Sequence, residues 1–301
     1  MDGRSYEFLV VELSKASCVE DAYALYLRWG HKGSLSTHLN LVRALSTLGH
    51  AEKAWEVYKD MQMKGHSLDH GTYKTLLNGL CEFSLVDKAY ELYKEMERTN
   101  FILDTGQMNR LLKVTCMTCQ INKAWDIFQK LESTSSDSVI SYGILIQGLM
   151  GSRNISEALD ILETMKRRGH KPSLIIYNTI IRGLSLTGQF EKADDILEEI
   201  SHRGLRPDAF TYCSLIDGLC KAEKFDAAIW IFEEMQLQGC QPDVPTYTAL
   251  ILGLTRAGRV FKALQYFHEM KTKDLKPQDS IYKHLASGLE KRGNVKIATE
   301  L

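Results

Sequence analysis

The sequence predicts an all-α solenoid of helical hairpin repeats, each about 35 residues long. The first observation is a fixed period: residues 174–208 and 209–243 both carry tyrosine at the fourth place, glycine at the tenth and alanine at the twentieth. The second is that both stretches close with Pro-Asp. The third is a helical spacing of apolar residues in each half of the repeat. A period in this range indicates a solenoid in which each repeat packs on its neighbours.

The alanine at the twentieth place sets the register along the whole chain. It recurs as Ala22, Ala54, Ala89, Ala124, Ala158, Ala193, Ala228, Ala263 and Ala298. The repeats are then 3–34, 35–69, 70–104, 105–138, 139–173, 174–208, 209–243 and 244–278, with a partial ninth at 279–301. We therefore predict a single solenoid over residues 3–301, with about eight full repeats and one partial repeat.

Repeat 6 illustrates why each repeat is expected to form two helices. In Leu174–Thr187 the apolar residues fall on one helical face, and Gly188 follows as a residue suited to a helix C-terminus. The second helix is predicted to run from about Phe190 to Arg203. It should end at Gly204, because Pro207 prevents any continuation.

Two further columns of residues predict how the repeats pack. Glycine in the middle of a helix costs roughly 1 kcal/mol relative to alanine, so the tenth-place glycine predicts close approach of a neighbouring helix. The tyrosine column is expected to be core, because each ring can bury a large area between repeats. The glycines are Gly79, Gly148, Gly183, Gly218, Gly253 and Gly288, and the tyrosines are Tyr6, Tyr73, Tyr142, Tyr177, Tyr212, Tyr247 and Tyr282.

Composition excludes several classes of protein. The chain has 37 Lys and Arg against 38 Asp and Glu, which disfavours a surface that is basic overall, although a local line of cations can still bind nucleic acid. The sequence has no apolar run of about 18 residues, the length that would predict a membrane span. The N-terminal sequence resembles neither a secretory signal nor an Arg-rich and Ser-rich transit peptide, so targeting was expected to lie outside this chain, to have been removed, or not to exist.

The seven cysteines lack the spacing of a disulfide framework. Cys116 and Cys119 form one CxxC motif, and one interpretation of it is half a zinc site or a redox pair. The alternative is favoured, because Cys81, Cys116 and Cys220 share the twelfth place of their repeats and should pack as small apolar core residues. A reducing compartment fits this usage.

Catalytic chemistry is not predicted. His50 and Glu52 have the H-x-E spacing of zinc deaminases, but the P-C-x-x-C motif that completes that signature is absent. The glycines occur singly at places set by the repeat, without a phosphate-binding loop. The acidic pairs Glu198-Glu199 and Glu233-Glu234 lie in second helices, where solvated outer faces are expected. We therefore predict no catalytic residue, no metal site and no cofactor.

In this register the chain resembles pentatricopeptide repeat proteins of the plain class, whose repeats are all about 35 residues long. The resemblance covers residues 3–301, whereas the tetratricopeptide repeat, the nearest alternative, lacks the terminal Pro-Asp. It implies a right-handed superhelix whose first helices line a face that binds single-stranded RNA, one nucleotide per repeat. The motifs that carry it are YNTIIRGL at Tyr177–Leu184, YCSLIDGLCKAEKFDAA at Tyr212–Ala228, FEEMQLQGCQPD at Phe232–Asp243, YKTLLNGLC at Tyr73–Cys81 and YTALILGLTRAGR at Tyr247–Arg259.

The resemblance also implies roles for particular places. In this family the fifth and last residues of a repeat choose the base, and second-place residues of neighbouring repeats sandwich it. Asn178 with Asp208 matches the uracil pair of the family, and Ile175 and Phe210 would form the sandwich. Stacking of a base is worth about 1–3 kcal/mol.

The other pairs match the family pattern less well. Asn109 with Ser138 is a looser pyrimidine match, and Thr248 resembles a purine reader but has Gln278 as its partner. Cys213 with Asp243 fits poorly but is included among the predicted base-reading residues. The remaining pairs, Glu7/Ser34, Leu39/Asp69, Lys74/Asp104 and Gly143/Ser173, fit poorly.

At the thirteenth place the family often has a lysine that contacts a phosphate. Lys221, Arg256 and Lys291 occupy this place in three successive repeats, as does Lys15 in the first. The alternative is that exposed helix ends carry cations for solubility.

These matches predict a non-catalytic protein that binds single-stranded RNA and acts in the stabilisation, processing or translation of RNA in a mitochondrion or chloroplast. The pattern expected along repeats 4 to 8 is pyrimidine–any–uracil–any–purine, read 5′ to 3′. The alternative is a scaffold for protein or structured RNA in a ribonucleoprotein assembly such as an organellar ribosome, without base reading. The near-neutral charge and the poorly matching pairs favour that alternative.

Overall fold

The computed structural model describes residues 3–29, 33–99, 101–134 and 139–300. Within these ranges the chain forms eighteen α-helices and no strand. The first helices of the repeats are α1 (Gly3–Lys15), α3 (Leu35–Thr47), α5 (His70–Glu82), α7 (Thr105–Met117), α9 (Val139–Gly151), α11 (Leu174–Leu186), α13 (Ala209–Lys221), α15 (Val244–Arg256) and α17 (Asp279–Lys291). The second helices are α2 (Val19–Arg28), α4 (Ala51–Met63), α6 (Val86–Arg98), α8 (Ile121–Thr134), α10 (Ile155–Arg167), α12 (Phe190–His202), α14 (Phe225–Leu237), α16 (Val260–Thr272) and α18 (Val295–Glu300).

The predicted helical hairpins are confirmed. Every odd-numbered helix begins at the first residue of a predicted repeat, and the helices of repeat 6 begin where the apolar pattern placed them. Gly188 and Gly204 both have a φ of 73°, the left-handed conformation that glycine adopts without strain. The chain divides into two compact bodies, an N-terminal body (Met1–Gly148) and a C-terminal body (Leu149–Leu301). A single continuous solenoid over residues 3–301 therefore stays a prediction.

Within each body the first helices form a continuous row. In the C-terminal body α11, α13, α15 and α17 pack in succession, and α1, α3, α5 and α7 do so in the N-terminal body. Second helices pack on the first helix of the next repeat, as α12 does on α13 and α14 on α15. The twentieth-place alanines Ala193, Ala228 and Ala263 are fully buried, and so are the fourth-place rings of Tyr177 and Tyr247. The prediction that the tyrosine column belongs to the core is therefore confirmed.

The tenth-place glycines lie where two first helices come closest. A Cβ atom on Gly218 would lie 2.6 Å from the Cβ of Ser185, and one on Gly183 would lie 2.5 Å from the Sδ of Met150. Ser185 and Met150 are twelfth-place residues of the preceding repeats. The glycine therefore receives the twelfth-place side chain of its neighbour, and this confirms the expected close approach.

The twelfth-place cysteines are core residues, as predicted. Cys81, Cys116 and Cys220 are buried, and burial raises the pKa of each thiol to about 12. Such thiols stay protonated and unreactive at neutral pH. The second cysteine of the CxxC motif, Cys119, is exposed. In the described ranges no three His, Cys, Asp or Glu side chains are grouped as a metal site would need.

One expectation about the acidic pairs is wrong. Glu199 is only partly exposed, because its carboxylate accepts hydrogen bonds from the Tyr177 hydroxyl at 2.8 Å, Lys166 Nζ at 2.6 Å and Arg203 Nε at 2.8 Å. Partial burial acts to raise its pKa, but these hydrogen bonds outweigh it and lower the pKa. A buried phenol needs an acceptor, and periodicity alone does not show that this glutamate supplies it. Glu198 is exposed, as expected.

None of the helices in the described residues combines the length and apolarity that crossing a membrane requires.

Candidate functional site

Asn178, the fifth residue of repeat 6, is held by two neighbours from outside its own helix. Its side-chain nitrogen donates to Asp208 Oδ1 at 3.1 Å, and its side-chain oxygen accepts a hydrogen bond from Thr211 Oγ1 at 2.6 Å. Asn178 is only 6% exposed and Thr211 is fully buried. A carboxylate on one side and a hydroxyl donor on the other fix which way the amide points.

Asp208 has a structural role as well. It is the N-cap of α13, and its Oδ1 accepts the backbone N–H of Thr211 at 2.9 Å, while the Asp208 N–H donates to Thr211 Oγ1 at 3.1 Å. Aspartate is favoured at this position because it satisfies an N–H that has no partner within the helix. Oδ2 receives no hydrogen bond from any residue in the described ranges.

The site therefore presents one donor and one acceptor to a ligand. The donor is the second N–H of the Asn178 amide, and the acceptor is Oδ2 of Asp208. Uracil offers the complementary pair, a ring carbonyl that accepts beside an N3–H that donates, whereas cytosine offers an N4 amino group that donates beside an N3 that accepts. Two apolar side chains flank this position in sequence, Ile175 at 77% exposure and Phe210 at 49%. Exposed apolar groups of this kind suit contact with the face of a base.

Sequence reasoning missed Thr211. A hydroxyl residue recurs at the third place of several repeats, and this recurrence was the signal that could have found it. Ser141 of repeat 5 forms the same kind of contact with repeat 4, since its Oγ donates to Asn109 Oδ1 at 2.7 Å. The predicted partner of Asn109, Ser138, lies outside the described residues. The third-place hydroxyl residues are Ser5, Thr37, Thr72, Ser141, Thr211 and Thr246.

In repeat 2 a different side chain occupies this polar position. The fifth residue is Leu39, and Arg43 instead reaches Thr72 Oγ1 at 2.7 Å and Asp69 at 2.5 Å. Burial opposes a low pKa for Asp69, but the hydrogen bonds from Thr72 and Arg43 outweigh it and lower the pKa. The carboxylate is thus already satisfied, which explains why this repeat departs from the family pattern.

Repeat 3 closes the same position with an ion pair. Lys74 Nζ lies 3.1 Å from Asp104 Oδ2. The backbone N–H of Gln107, followed by the Lys74 ammonium, lowers the pKa of Asp104. Both pair members therefore have a protein partner in place of a base.

Repeats 7 and 8 hold weaker hydrogen-bonding groups at the places predicted to read a base. Burial, with Asp243 nearby, raises the pKa of the Cys213 thiol to about 11, so the thiol stays protonated and is a weak donor. In repeat 8 the Thr248 hydroxyl donates to the backbone oxygen of Val244 at 2.6 Å, which leaves it only as an acceptor. Gln278 is the N-cap residue of α17, but its side chain makes no capping hydrogen bond.

The predicted phosphate-binding cations are exposed. Lys221 also pairs with Asp217, one turn earlier in α13, at 2.5 Å. Arg256 and Lys291 line a cavity of about 500 Å³ together with Lys283 and Arg292, and no acidic side chain lines it. The basic lining of this cavity therefore favours an anion.

Comparison with known proteins decides the family. Profiles described as PPR repeat family match residues 39–82, 172–221 and 214–256, and one described as pentatricopeptide repeat domain matches 137–184. A further PPR repeat profile matches 71–101 and 245–275, so the matches together span well over half of the chain. The chain belongs to the pentatricopeptide repeat family. The sequence has no significant match among curated proteins.

Solved pentatricopeptide repeat structures share this fold. The chain is 23% identical to maize PPR10, with a TM-score of 0.74 over 98% of this chain and 43% of that one. For PPR10 in complex with an 18-nucleotide psaJ RNA element, identity is 18% and the TM-score 0.62, over 100% and 44% of the two chains. The PPR domain of Arabidopsis thaliana RNase P 1 in complex with tRNA is 15% identical, with a TM-score of 0.51 over 62% and 98%. The chain thus spans less than half the length of PPR10.

Proposed function

We propose that this pentatricopeptide repeat chain binds single-stranded RNA without catalysis, and stabilises a transcript or positions it for processing or translation in a mitochondrion or chloroplast. The observation that carries the proposal is the hydrogen-bonded group of Asn178, Asp208 and Thr211, which leaves one donor and one acceptor unused. The RNA complexes of PPR10 support it, since they join the same fold to RNA.

Recognition would proceed on the first helices of the C-terminal body. A base enters between Ile175 and Phe210, and its carbonyl accepts the free N–H of Asn178 while N3–H donates to Asp208 Oδ2. The amide does not have to reorient on binding, because Thr211 and Asp208 already hold it. Binding to a preorganised group avoids the ordering cost that a mobile side chain would incur.

A scaffold role in a ribonucleoprotein assembly is the second candidate. In repeats 3 and 2 the predicted reading positions are occupied by ion pairs within the protein, Lys74 with Asp104 and Arg43 with Asp69. The repeats would then hold a protein or structured RNA without reading individual bases.

Selection from a randomised pool of short RNAs tests the proposal. We expect the bound fraction to be enriched in uridine at one position, with a purine two nucleotides further 3′, as repeats 6 and 8 predict. Cytidine is the nearest competitor at the first position. The repeat 4 pair adds a pyrimidine two nucleotides 5′ of the uridine. Binding without any enrichment would favour the scaffold role.

The salt dependence of RNA affinity tests the phosphate contacts. Each phosphate contact to a single strand contributes about −0.7 to the slope of log K against log salt concentration. We expect the triple variant Lys221→Ala, Arg256→Ala and Lys291→Ala to have a slope shallower by about 2.

The matched control removes three exposed cations of second helices, Lys192, Lys262 and Lys296, and so changes the net charge equally. Its slope should remain close to that of the unaltered chain. Equal changes in the two variants would assign the effect to net charge and remove the thirteenth-place residues from the interface.

A further inference from the structure

The junctions between second helices are closed by a recurring polar group. In repeat 6, Glu199 accepts from Tyr177 of its own first helix and from Arg203 one turn later, each at 2.8 Å. It also accepts from Lys166 of the preceding second helix, at 2.6 Å. This last contact bridges α10 and α12.

Repeat 8 repeats the arrangement with different residues. Glu269 accepts from the Tyr247 hydroxyl at 2.8 Å and from Lys273 at 3.0 Å. The bridge from the preceding second helix is Gln236, whose side-chain nitrogen donates at 3.1 Å. A long donor at the twenty-eighth place therefore joins α14 to α16, as it joins α10 to α12.

The junction between α12 and α14 lacks these partners. The bridging place is held by Ser201, whose side chain is too short to reach across, and its hydroxyl instead bonds Leu197 O in its own helix. Glu234 accepts only from Gln238 Nε2, at 2.6 Å, among the described residues. Tyr212 is 98% buried, yet no hydrogen bond of its hydroxyl to another described residue is present. The ring is buried, and the residue lines a groove that is open to solvent.

A groove of about 1290 Å³ opens at this junction. It exceeds the roughly 300–1,000 Å³ of a typical small-molecule site. Tyr212 and Glu234 line it, and Trp230 stands in its wall with 60% of its surface exposed. Leu197 and Ile231 supply further apolar lining. The groove therefore combines an unpartnered phenol and a carboxylate with a free aromatic face.

The charge of the groove is acidic. Asp194, Glu198 and Glu234 all line it, and none of them forms an ion pair with a described residue. Partial desolvation, with Asp195 and Glu198 nearby, raises the pKa of the exposed Asp194 carboxyl. Arg206 and His202 are the basic residues on its lining. Phosphate would be repelled here, so the groove does not suit RNA.

We propose that this groove docks a basic segment of a partner protein and that an arginine of the segment replaces the missing bridge. The guanidinium would lie beside Glu234 and the Tyr212 hydroxyl. It would occupy the position equivalent to that of the Lys166 ammonium at the junction of α10 and α12. Arginine fits better than lysine because its planar group donates to several acceptors and stacks on an aromatic ring, here Trp230. Aliphatic residues of the segment would cover Leu197 and Ile231.

Fluorescence anisotropy with a short labelled peptide that alternates arginine and leucine tests this proposal on the whole chain. We expect binding of this peptide to be about fivefold tighter than binding of the same peptide with neutral citrulline for arginine, since one partly exposed ion pair is lost. Glu234→Gln should weaken binding of the arginine peptide by a similar factor. No binding of the arginine peptide, or equal binding of the two peptides, would overturn the proposal.

Ser201→Lys provides the sharper variant. It supplies at this junction the side chain that Lys166 supplies at the preceding one, and so should block the arginine peptide while keeping the helical content of the chain. Glu223→Gln is the matched control, because it removes an exposed carboxylate outside the groove. Retained binding in Ser201→Lys, or an equal loss in Glu223→Gln, would place the peptide elsewhere. Asn178→Ala should leave peptide binding unchanged, so failure of RNA reading and failure of docking are distinguishable.

Discussion

Replacing Asn178 by alanine is expected to reduce the preference for uridine at the nucleotide read by repeat 6 by about tenfold. A well-formed pair of hydrogen bonds to a base edge discriminates by roughly 1–3 kcal/mol, and each 1.4 kcal/mol is a factor of ten. The variant loses the donor and leaves Thr211 Oγ1 and Asp208 Oδ1 without the amide that joins them. Affinities for short RNAs that differ only at this nucleotide measure the effect.

Thr211 variants separate positioning from contact. Thr211→Val keeps the shape but removes the hydroxyl that holds the Asn178 oxygen, so the uridine preference should fall while overall RNA affinity changes little. Thr211→Ser should restore the preference, because Ser141 holds Asn109 in the same way. Asn109→Ala is the matched control, since it should alter selectivity at a different nucleotide. An unchanged uridine preference in Asn178→Ala would remove base reading from repeat 6.

Replacing Gly218 by alanine is expected to lower the free energy of unfolding by up to about 2 kcal/mol. Overpacking costs about 1–3 kcal/mol, and the better helix propensity of alanine returns only about 1 kcal/mol. The new Cβ would lie 2.6 Å from Ser185 Cβ and 2.9 Å from the Ser185 backbone oxygen. Backbone cannot rotate away as a flexible side chain can, so α11 and α13 must separate. Urea denaturation followed by circular dichroism measures the loss.

The control for this substitution is Gly151→Ala at the end of α9. A Cβ atom at Gly151 meets no atom within 4 Å, so the change should be neutral or stabilising. If Gly218→Ala were as stable as Gly151→Ala, the close approach of first helices would not be what requires glycine at the tenth place.

The fold was predictable because the same structural constraints select the same residue types at the same places in successive repeats. Gly188 ends one helix in repeat 6, and Tyr177 and Ala193 mark two buried faces. Each of these features recurs at a fixed spacing, so chance patterns in one repeat are corrected by the others. Helix boundaries therefore agree with the structure closely.

The polar contacts between repeats were not predictable in the same way. Periodicity identifies the place of Glu199 or Thr211 but does not show which neighbour its side chain meets. Glu199 was expected in solvent because its sequence neighbours are acidic, whereas Tyr177 and Lys166 bring it partly inside. Thr211 resembles an ordinary buried helix residue until the position of Asn178, 33 residues earlier, is known.

The position of Thr211 in the repeat after Asn178 determines where a repeat can be cut for protein engineering. The amide that faces a base belongs to one repeat, but the hydroxyl that orients it belongs to the next. Moving residues 174–208 into another scaffold would transfer Asn178 and Asp208 and leave their support behind. The smallest portable cassette therefore extends through residue 211, and libraries that shuffle repeats should place their crossovers after it.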